Sequence, residues 1–212
     1  VAASLGVGAV ALVPGPNVGR ALNQSVGSQE RPFLLVIPAS GAAAALVPNL
    51  ELRSWDLVGF PGAVFDWRDQ DGYDAAFAAL CTHLNISSLA VEGQVMRVFV
   101  HHALKTAQPD LRIVDGEQAI SGLRMIKTPQ DIAALQAAID FSERALDHVL
   151  GNVRLGQSET DIEQALIQAL FAEGADDLAF TPIVAAGDNS ARPHAHARAG
   201  APPPGRVRER YD

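Results

Sequence analysis

The sequence is poor in cysteine, in clustered basic residues and in long apolar runs, and each shortage excludes a class of protein. A single cysteine, Cys81, rules out an internal disulfide framework and is typical of a reducing compartment, so we predict a cytoplasmic location. No apolar run reaches the roughly 20 residues that a membrane span requires, and we expect no membrane partner. A net charge of −8 without a basic patch argues against a nucleic-acid partner.

Several signatures of other protein classes are missing as well, including a Walker-type phosphate loop, an internal repeat and a coiled coil. Cys81 lies in an apolar helical pattern over 77–83, and no histidine or acid is spaced to activate it. We therefore interpret it as a buried structural thiol rather than a nucleophile. The apolar residues 1–14 lack a basic leader and end in a turn sequence, which favours a core strand over a signal peptide. Because the first residue is not methionine, we expect residues to be missing before it.

The residues that are present permit a globular core, since 48% are hydrophobic and 19% are charged. The first half of the chain alternates short apolar runs with helical patterns, separated by turn residues. We predict strands over 7–13, 33–37, 42–47, 88–91 and 111–114, helices over 71–84, 95–107 and 117–121, and a hairpin turn at 38–41. Strands that alternate with helices indicate an α/β domain, which we assign to residues 1–122.

A hinge over residues 122–129 leads into a helix with a clear start signal. Thr128 has the position of an N-cap, Pro129 suits the first turn, and Asp131 lies at the third helical position, beside the positive end of the helix dipole. A stripe at helical spacing follows, formed by Ile132, Leu135, Ile139, Ser142, Leu146 and Val149. This pattern predicts an amphipathic helix with one apolar face.

A second helix begins in the same way, with Ser158 as N-cap and Asp161 three residues later, and we place its end at Gly174. Two apolar stripes joined by a short linker predict an antiparallel helix pair that packs on another layer. We expect that layer to be a sheet, with residues 180–185 as its first strand.

The composition changes after residue 196, where proline, glycine, alanine and arginine dominate and bulky aliphatic residues nearly vanish. Such a segment cannot form a core strand, so we predict a disordered tail over 197–212. The same composition is also what a GC-rich gene would encode after a shift in reading frame, and the sequence leaves both interpretations open.

Three segments of the second half carry a resemblance to a known family. They are Leu123-Arg-Met-Ile-Lys-Thr-Pro-Gln-Asp-Ile132, the residues 158–163 with 171–175, and Phe180-Thr-Pro-Ile-Val-Ala-Ala-Gly-Asp-Asn-Ser-Ala-Arg-Pro-His194. In this order and at this spacing they resemble the pita-bread metallopeptidases, the family of Xaa-Pro dipeptidase (prolidase), aminopeptidase P and creatinase. Shorter segments upstream, at 16–18, 27–28, 31–38 and 46–48, resemble the N-terminal domain of the same family.

The resemblance implies two domains of different fold. Residues 1–122 would form a creatinase-type, ribonuclease-H-like α/β domain, which often shapes a dimer interface, so we expect a homodimer. Residues 123–196 would form the first two helices and first strand of an incomplete pita-bread αβ domain. His194, in the Pro-His loop, would line the site and hydrogen-bond the substrate.

The family's chemistry depends on residues that this sequence does not include. Complete members bind two divalent metals (Mn, Zn or Co) through two Asp, one His and two Glu, and a metal-bridging hydroxide attacks the bond before proline. Those ligands follow the Pro-His loop. Asp212 falls near the place of the first one, but 206–211 is not a buried strand. We therefore assign no catalytic residue, no metal ligand and no cofactor to this chain, and we expect it to be inactive in proteolysis on its own.

Other candidate residues have simpler interpretations. His194 and His196 can point to the same side of an extended segment and chelate a metal, but no third ligand lies near them. His101 and His102 diverge on a helix and cannot chelate together. The resemblance implies that His194 would contact the substrate in a complete enzyme, whereas in this chain, without its catalytic partners, we favour its interpretation as an exposed loop residue.

Three further pairs complete the set of candidates. Asp176 and Asp177 are interpreted as solvated carboxylates. Asn189 and Ser190 are interpreted as turn formers. Trp55 and Trp67 belong either to the core or to an interface.

Three functions remain open from the sequence. The first is a truncated relative of the Xaa-Pro peptidases that is inactive on its own. The second is a non-catalytic module of the same family that binds a peptide or protein, or dimerises through exposed apolar helix faces. The third is a fragment of a complete metal-dependent Xaa-Pro peptidase.

Overall fold

The computed structural model describes residues 1–24, 26–27 and 30–200. The chain forms two compact units, the first over Val1–Ile126 and the second beginning at Lys127. The predicted disordered tail over 197–212 lies outside the described residues from 201 onward, whereas residues 197–200 are described and Arg198 is held by hydrogen bonds to Glu159, so the tail was predicted to begin too early. Among the described residues, no helix combines the length and the apolar character needed to cross a membrane.

Unit 1 is an α/β domain built on a six-stranded sheet. Its strands are β1 (Ala9–Leu12), β2 (Leu34–Pro38), β3 (Ala44–Pro48), β4 (Ala63–Trp67), β5 (Ser88–Val91) and β6 (Arg112–Asp115). Its helices are α1 (Pro16–Leu22), α2 (Leu52–Asp56), α3 (Asp74–Leu84), α4 (Val98–Ala107) and α5 (Glu117–Gly122). The spatial order of the strands is β4-β3-β2-β1-β5-β6.

The sheet is mixed, and its direction changes at β2. Strand β2 pairs antiparallel with both β1 and β3, whereas β1 with β5, β5 with β6, and β3 with β4 are parallel pairs. The parallel neighbours β1, β5 and β6 end at the same edge of the sheet. Residues that directly follow those strands are therefore brought together, which positions the carboxylate of Glu92.

The core lies on both faces of the sheet, because successive side chains of a strand point to opposite faces. One face carries Leu34, Val36 and Leu46 and packs against Phe77, Leu80, Val100 and Leu104 of α3 and α4. The other face carries Val10, Leu35 and Val47 and packs against Val18, Trp55 and Ile120 of α1, α2 and α5. Burial on both faces explains why these strands read as continuous apolar runs.

The predicted elements of unit 1 are mostly confirmed. The strand over 88–91 has the predicted bounds, and the turn at 38–41 joins the antiparallel strands β2 and β3. Strand β4 and helices α1 and α2 were not predicted, because they are short and lie beside proline and glycine. Trp55 and Trp67 are both buried in unit 1, so they belong to its core. Cys81 is buried in α3, and burial raises the pKa of its thiol.

The described part of unit 2 contains two α-helices, α6 (Pro129–Leu150) and α7 (Glu159–Ala172), with the predicted start signals. Thr128 and Ser158 each accept a hydrogen bond from the main-chain N–H three residues later, and the aspartate at that position accepts one from the main-chain N–H of the cap residue. These reciprocal bonds satisfy N–H groups that a helix start leaves without a partner. Gly174 follows the end of α7 with a positive φ of 109°, as a glycine at that position permits.

The two helices pack through small residues. Ala145, Val149 and Ala169 are buried at their contact, with Ile162 and Leu166 packed beside them. Most of the predicted apolar stripe of α6 is exposed, namely Ile132, Leu135, Ile139 and Leu146.

The predicted strand over 180–185 is wrong. These residues have an irregular backbone, and the described part of unit 2 contains no β-strand. A strand requires the hydrogen-bond ladder of a neighbour, and the apolar pattern of 180–185 cannot supply that neighbour by itself. The predicted packing of α6 and α7 on a sheet is therefore not seen within the described residues of this unit.

Candidate functional site

Helix α7 begins with a buried carboxylate. Glu159 is its first residue, directly after the cap Ser158, and it is only 2% exposed. A negative charge at this place is stabilised by the positive end of the helix dipole. Burial of a carboxylate costs free energy unless hydrogen bonds from the protein replace those from water, so the site is best described through the donors that surround Glu159.

Five hydrogen bonds from the described residues reach the two oxygens of Glu159. The Oε1 atom accepts from the main-chain N of Ala186 at 2.7 Å and from Nη2 of Arg198 at 3.0 Å. The Oε2 atom accepts from Nδ2 of Asn189 at 2.8 Å, and from the main-chain N and Nε of Arg198 at 2.9 and 3.1 Å. We call these four residues the Glu159 cluster.

The cluster keeps Glu159 ionised over a wide pH range. Side-chain hydrogen bonds from Arg198 are the main cause that lowers the pKa of Glu159 from 4.5 to about 2. Burial opposes this shift, while the main-chain N–H groups and the amide of Asn189 add to it. All of these donors favour the charged form of the carboxylate.

The cluster closes the loop over 186–198 at both ends. Ala186 and Arg198 share the carboxylate, and Nη2 of Arg198 also donates to the carbonyl oxygen of Ala186 at 3.1 Å. The main-chain N of Thr160 donates to the carbonyl oxygen of Arg198 at 3.3 Å, so the loop's end is bound to the first turn of α7. Compact loops whose ends meet in this way frequently carry function.

His194 lies in this loop and is exposed, in the short segment Pro193–His194 between the two bound ends. Its backbone has a φ of 55°, in the left-handed region that few non-glycine residues adopt. The loop thus presents an imidazole to solvent from a constrained backbone. This is the place at which the sequence predicted a substrate contact, and that role stays a prediction.

Asn189 does more than form a turn. It is 2% exposed, and its amide donates to Glu159 and to the carbonyl oxygen of His196 at 3.0 Å. Both amide protons are therefore used to join separate segments of the loop. Ser190 has the local role that we predicted for both residues, since its hydroxyl donates to the carbonyl oxygen of Gly187 at 2.7 Å.

The other predicted candidates are not brought together. His194 and His196 are both exposed, and within the described part of the chain no group of three or more His, Cys, Asp or Glu side chains can hold a metal ion. Asp176 and Asp177 are exposed, as predicted for solvated carboxylates.

His101 and His102 lie on α4, in unit 1, with their ring centroids 5.9 Å apart. This confirms the prediction that they are adjacent residues on a helix.

Sequence reasoning missed Glu159 and Arg198. A glutamate in the first turn of a helix is ordinarily an exposed, dipole-favoured residue, and nothing local in Ser158–Asp161 indicates burial. The partners of Glu159 lie 27 to 39 residues further along the chain. Only the packing of the loop on α7 reveals them.

Unit 1 contains a second buried carboxylate, Glu92, which directly follows β5 and is also 2% exposed. It accepts from the main-chain N of Val13 at 2.8 Å and from Nδ2 of Asn17 at 2.7 Å. The side-chain oxygen of Asn17 accepts from Nε of Arg124 at 2.6 Å. We call Glu92, Val13, Asn17 and Arg124 the Glu92 cluster; it ties residue 124 to the edge where β1 and β5 end.

A family model described as the creatinase/prolidase N-terminal domain matches residues 11–126, more than half of the chain. The chain belongs to the creatinase/prolidase family. A second model, metallopeptidase family M24, matches residues 133–207 of this creatinase/prolidase member. The two matches agree with the resemblance carried by the sequence motifs.

Solved structures of this family support the fold. A prolidase from Thermococcus sibiricus is 26% identical with a TM-score of 0.84, covering 94% of this chain and 55% of that one. Dipeptidase PepE from Mycobacterium ulcerans is 25% identical with a TM-score of 0.81, covering 94% and 54%. Among curated proteins, a probable dipeptidase PepE of Mycobacterium tuberculosis is 26% identical over 196 residues, 91% of this chain and 51% of that protein.

This creatinase/prolidase chain therefore spans about half the length of the relatives it matches. The residues that the structure describes do not fit the two-metal centre that the family resemblance implies, because such a centre requires several converging oxygen or nitrogen ligands. What the described residues do provide is a fixed loop with an exposed imidazole.

Proposed function

We propose that this protein binds Xaa-Pro peptides, and that residues 127–200 supply the loop that contacts the substrate rather than the hydrolytic centre. The observation that carries this proposal is the placement of His194 on a loop closed by the Glu159 cluster. An exposed imidazole can donate to or accept from a peptide carbonyl or carboxylate. The names of the relatives, prolidase and dipeptidase, favour a dipeptide as the ligand.

Residues 1–212 alone are proposed to bind such a peptide without cleaving it. The family resemblance implies that the metals are held by two Asp, one His and two Glu that follow the Pro-His loop, and we expect no counterpart of that set within residues 1–212. A complete metallopeptidase that contains these residues is compatible with the same role for His194. Hard divalent cations require oxygen-rich ligand sets, and the loop over 186–198 does not supply one.

The test is a titration of the chain with Ala-Pro, followed through the ring resonances of His194, with Ala-Gly as the control peptide. We expect Ala-Pro to shift the His194 resonances and His194→Ala to weaken its affinity at least tenfold. His196→Ala is the matched control, because it removes a nearby exposed imidazole from the same loop. Equal shifts with Ala-Gly, or full affinity in His194→Ala, would contradict the proposed contact.

Hydrolysis is tested on the same sample by proline release with added Mn²⁺, Co²⁺ or Zn²⁺. We expect no release above that of the His194→Ala variant. Sustained turnover by residues 1–212 would overturn the proposal that this stretch binds without cleaving.

A second proposed role is assembly. The exposed apolar residues of α6, Ile132, Leu135, Ile139 and Leu146, favour a homodimer or another protein partner. Sedimentation of the chain tests this, and Ile139→Glu on the exposed face should shift a dimer toward monomer. The single cysteine supports a cytoplasmic location for the same proposal.

A further inference from the structure

The loop over 186–198 has no regular secondary structure apart from one short 3-10 turn, Gly187–Ala191. Within the loop, the main-chain N of Arg192 donates to the carbonyl oxygen of Asn189 at 3.1 Å. Among the described residues, five further hydrogen bonds run from the loop to Glu159. The conformation of the loop therefore depends on one side chain that is distant in sequence.

The carboxylate contacts the loop at three separate places. It accepts from the main chain where the loop begins, at Ala186, and where it ends, at Arg198. Between them it accepts from Asn189, whose amide also donates to the carbonyl oxygen of His196, two residues beyond the imidazole of interest. His194 is thus bracketed on both sides by groups that the same carboxylate holds.

We propose that Glu159 is a positioning residue, which acts through Asn189 and Arg198 to fix the backbone on both sides of His194 and thereby the direction of its imidazole. The inference rests on the proposed function only in its last step, the use of that imidazole to contact a peptide. The geometry of the loop itself is independent of that step.

Glu159→Gln is the decisive substitution, because it keeps the size of the side chain and removes its charge. An amide offers one acceptor oxygen and an NH₂ group that cannot accept, so it cannot satisfy donors on both sides. Asp161→Asn is the matched control. It removes a carboxylate from the same turn of α7, where Asp161 accepts from the N–H and hydroxyl of Ser158.

The first measurement is amide hydrogen exchange in the whole chain. We expect Glu159→Gln to speed exchange in residues 186–198 at least tenfold, while Asp161→Asn affects the start of α7 and leaves the loop within twofold of wild type. Glu159→Asp, which keeps the charge on a shorter side chain, should give an intermediate loop rate. Loop exchange within twofold of wild type in Glu159→Gln, or an equal effect of Asp161→Asn, would overturn the proposal.

The second measurement separates positioning from general stability through a double-mutant cycle on Ala-Pro affinity. We expect Glu159→Gln to weaken binding at least tenfold in the wild-type background and to have no further effect when His194 is already alanine. An equal loss in both backgrounds would show that Glu159 does not act through His194. If the wild-type chain does not bind Ala-Pro, the proposed function fails, while the exchange rates of the loop and the ring resonances of His194 still decide the positioning role.

Discussion

Glu92 in unit 1 and Glu159 in unit 2 have the same exposure, 2%, and each belongs to a cluster with one asparagine and one arginine. Their surroundings differ. Glu92 binds the N–H of Val13, the first residue beyond β1, and so continues the bonding of an existing sheet. Glu159 binds a loop in unit 2, whose described residues form no strand.

The two arginines also differ in how they reach the carboxylate, Arg124 indirectly and Arg198 directly. Arg124 reaches Glu92 through Asn17, so the order is carboxylate, amide, guanidinium. Arg198 pairs with Glu159 directly and also through its main-chain N–H. In unit 1 the sheet already orders the chain, and Glu92 adds hydrogen bonds at its edge. In the described part of unit 2, which has no sheet, the hydrogen bonds and ion pair of Glu159 hold the loop.

The largest effect is expected from Glu92→Ala. The substitution leaves the N–H of Val13 and the amide of Asn17 without their buried acceptor, and each lost partner costs about 1–3 kcal/mol. We expect the free energy of unfolding of unit 1 to fall by roughly 2–5 kcal/mol.

Tryptophan fluorescence during urea unfolding measures this change in unit 1 alone, because both tryptophans of the sequence are buried there. Asp71→Ala, which removes an exposed carboxylate of the same unit, is the control and should change stability by less than about 0.5 kcal/mol. A similar result for both variants would mean that Glu92 is not needed for the sheet edge.

The next effect concerns acid pH and unit 2. The pKa of Glu159 is lowered in the folded state to about 2 from an ordinary value of 4.5, so its stabilisation is fully present above pH 4.5. That stabilisation declines as the pH falls below 4.5 and is lost as it passes through about 2. We therefore expect the protection of loop amides from exchange to decrease over this window, after correction for the intrinsic rate.

Glu159→Gln should abolish the part of this pH dependence that belongs to the cluster, since it has no carboxyl group to titrate. Asp161→Asn should retain it. An unchanged pH profile in Glu159→Gln would assign the acid sensitivity to other groups.

The smallest effect is expected from Arg124→Met. This change removes the bond to Asn17 but keeps most of the apolar length of the side chain, so we expect a loss of about 0.5–1.5 kcal/mol in unit 1. Arg198→Met, made for comparison, should leave tryptophan fluorescence unchanged and speed exchange in the loop. If Arg124→Met were as disruptive as Glu92→Ala, the Glu92 cluster would depend on its guanidinium as strongly as the Glu159 cluster does.

Much of the fold was predictable from local patterns. The strand over 88–91, the hairpin turn before β3 and the starts of α6 and α7 depend on neighbours within a few residues, and these predictions are confirmed. The strand predicted over 180–185 failed because a strand is a property of a pair of segments, whereas a capping box is a property of one.

The candidate site was predictable only in part. The Pro-His loop is recognisable from its sequence, whereas the cluster that holds it depends on contacts between Glu159 and residues 27 or more positions away. Asn189 illustrates the limit, because a residue type that commonly forms turns proves to join two segments with both amide protons. The chemical meaning of such residues becomes visible only when their partners are known.

The left-handed backbone of His194 has an energetic cost for the loop. A side-chain-bearing residue in this region is less stable than glycine by about 1 kcal/mol or more, and the surrounding contacts hold it there. Glycine at this position would relax the backbone and make the loop more robust, but it would remove the imidazole. The loop therefore gives up some stability in exchange for a defined orientation of the His194 imidazole.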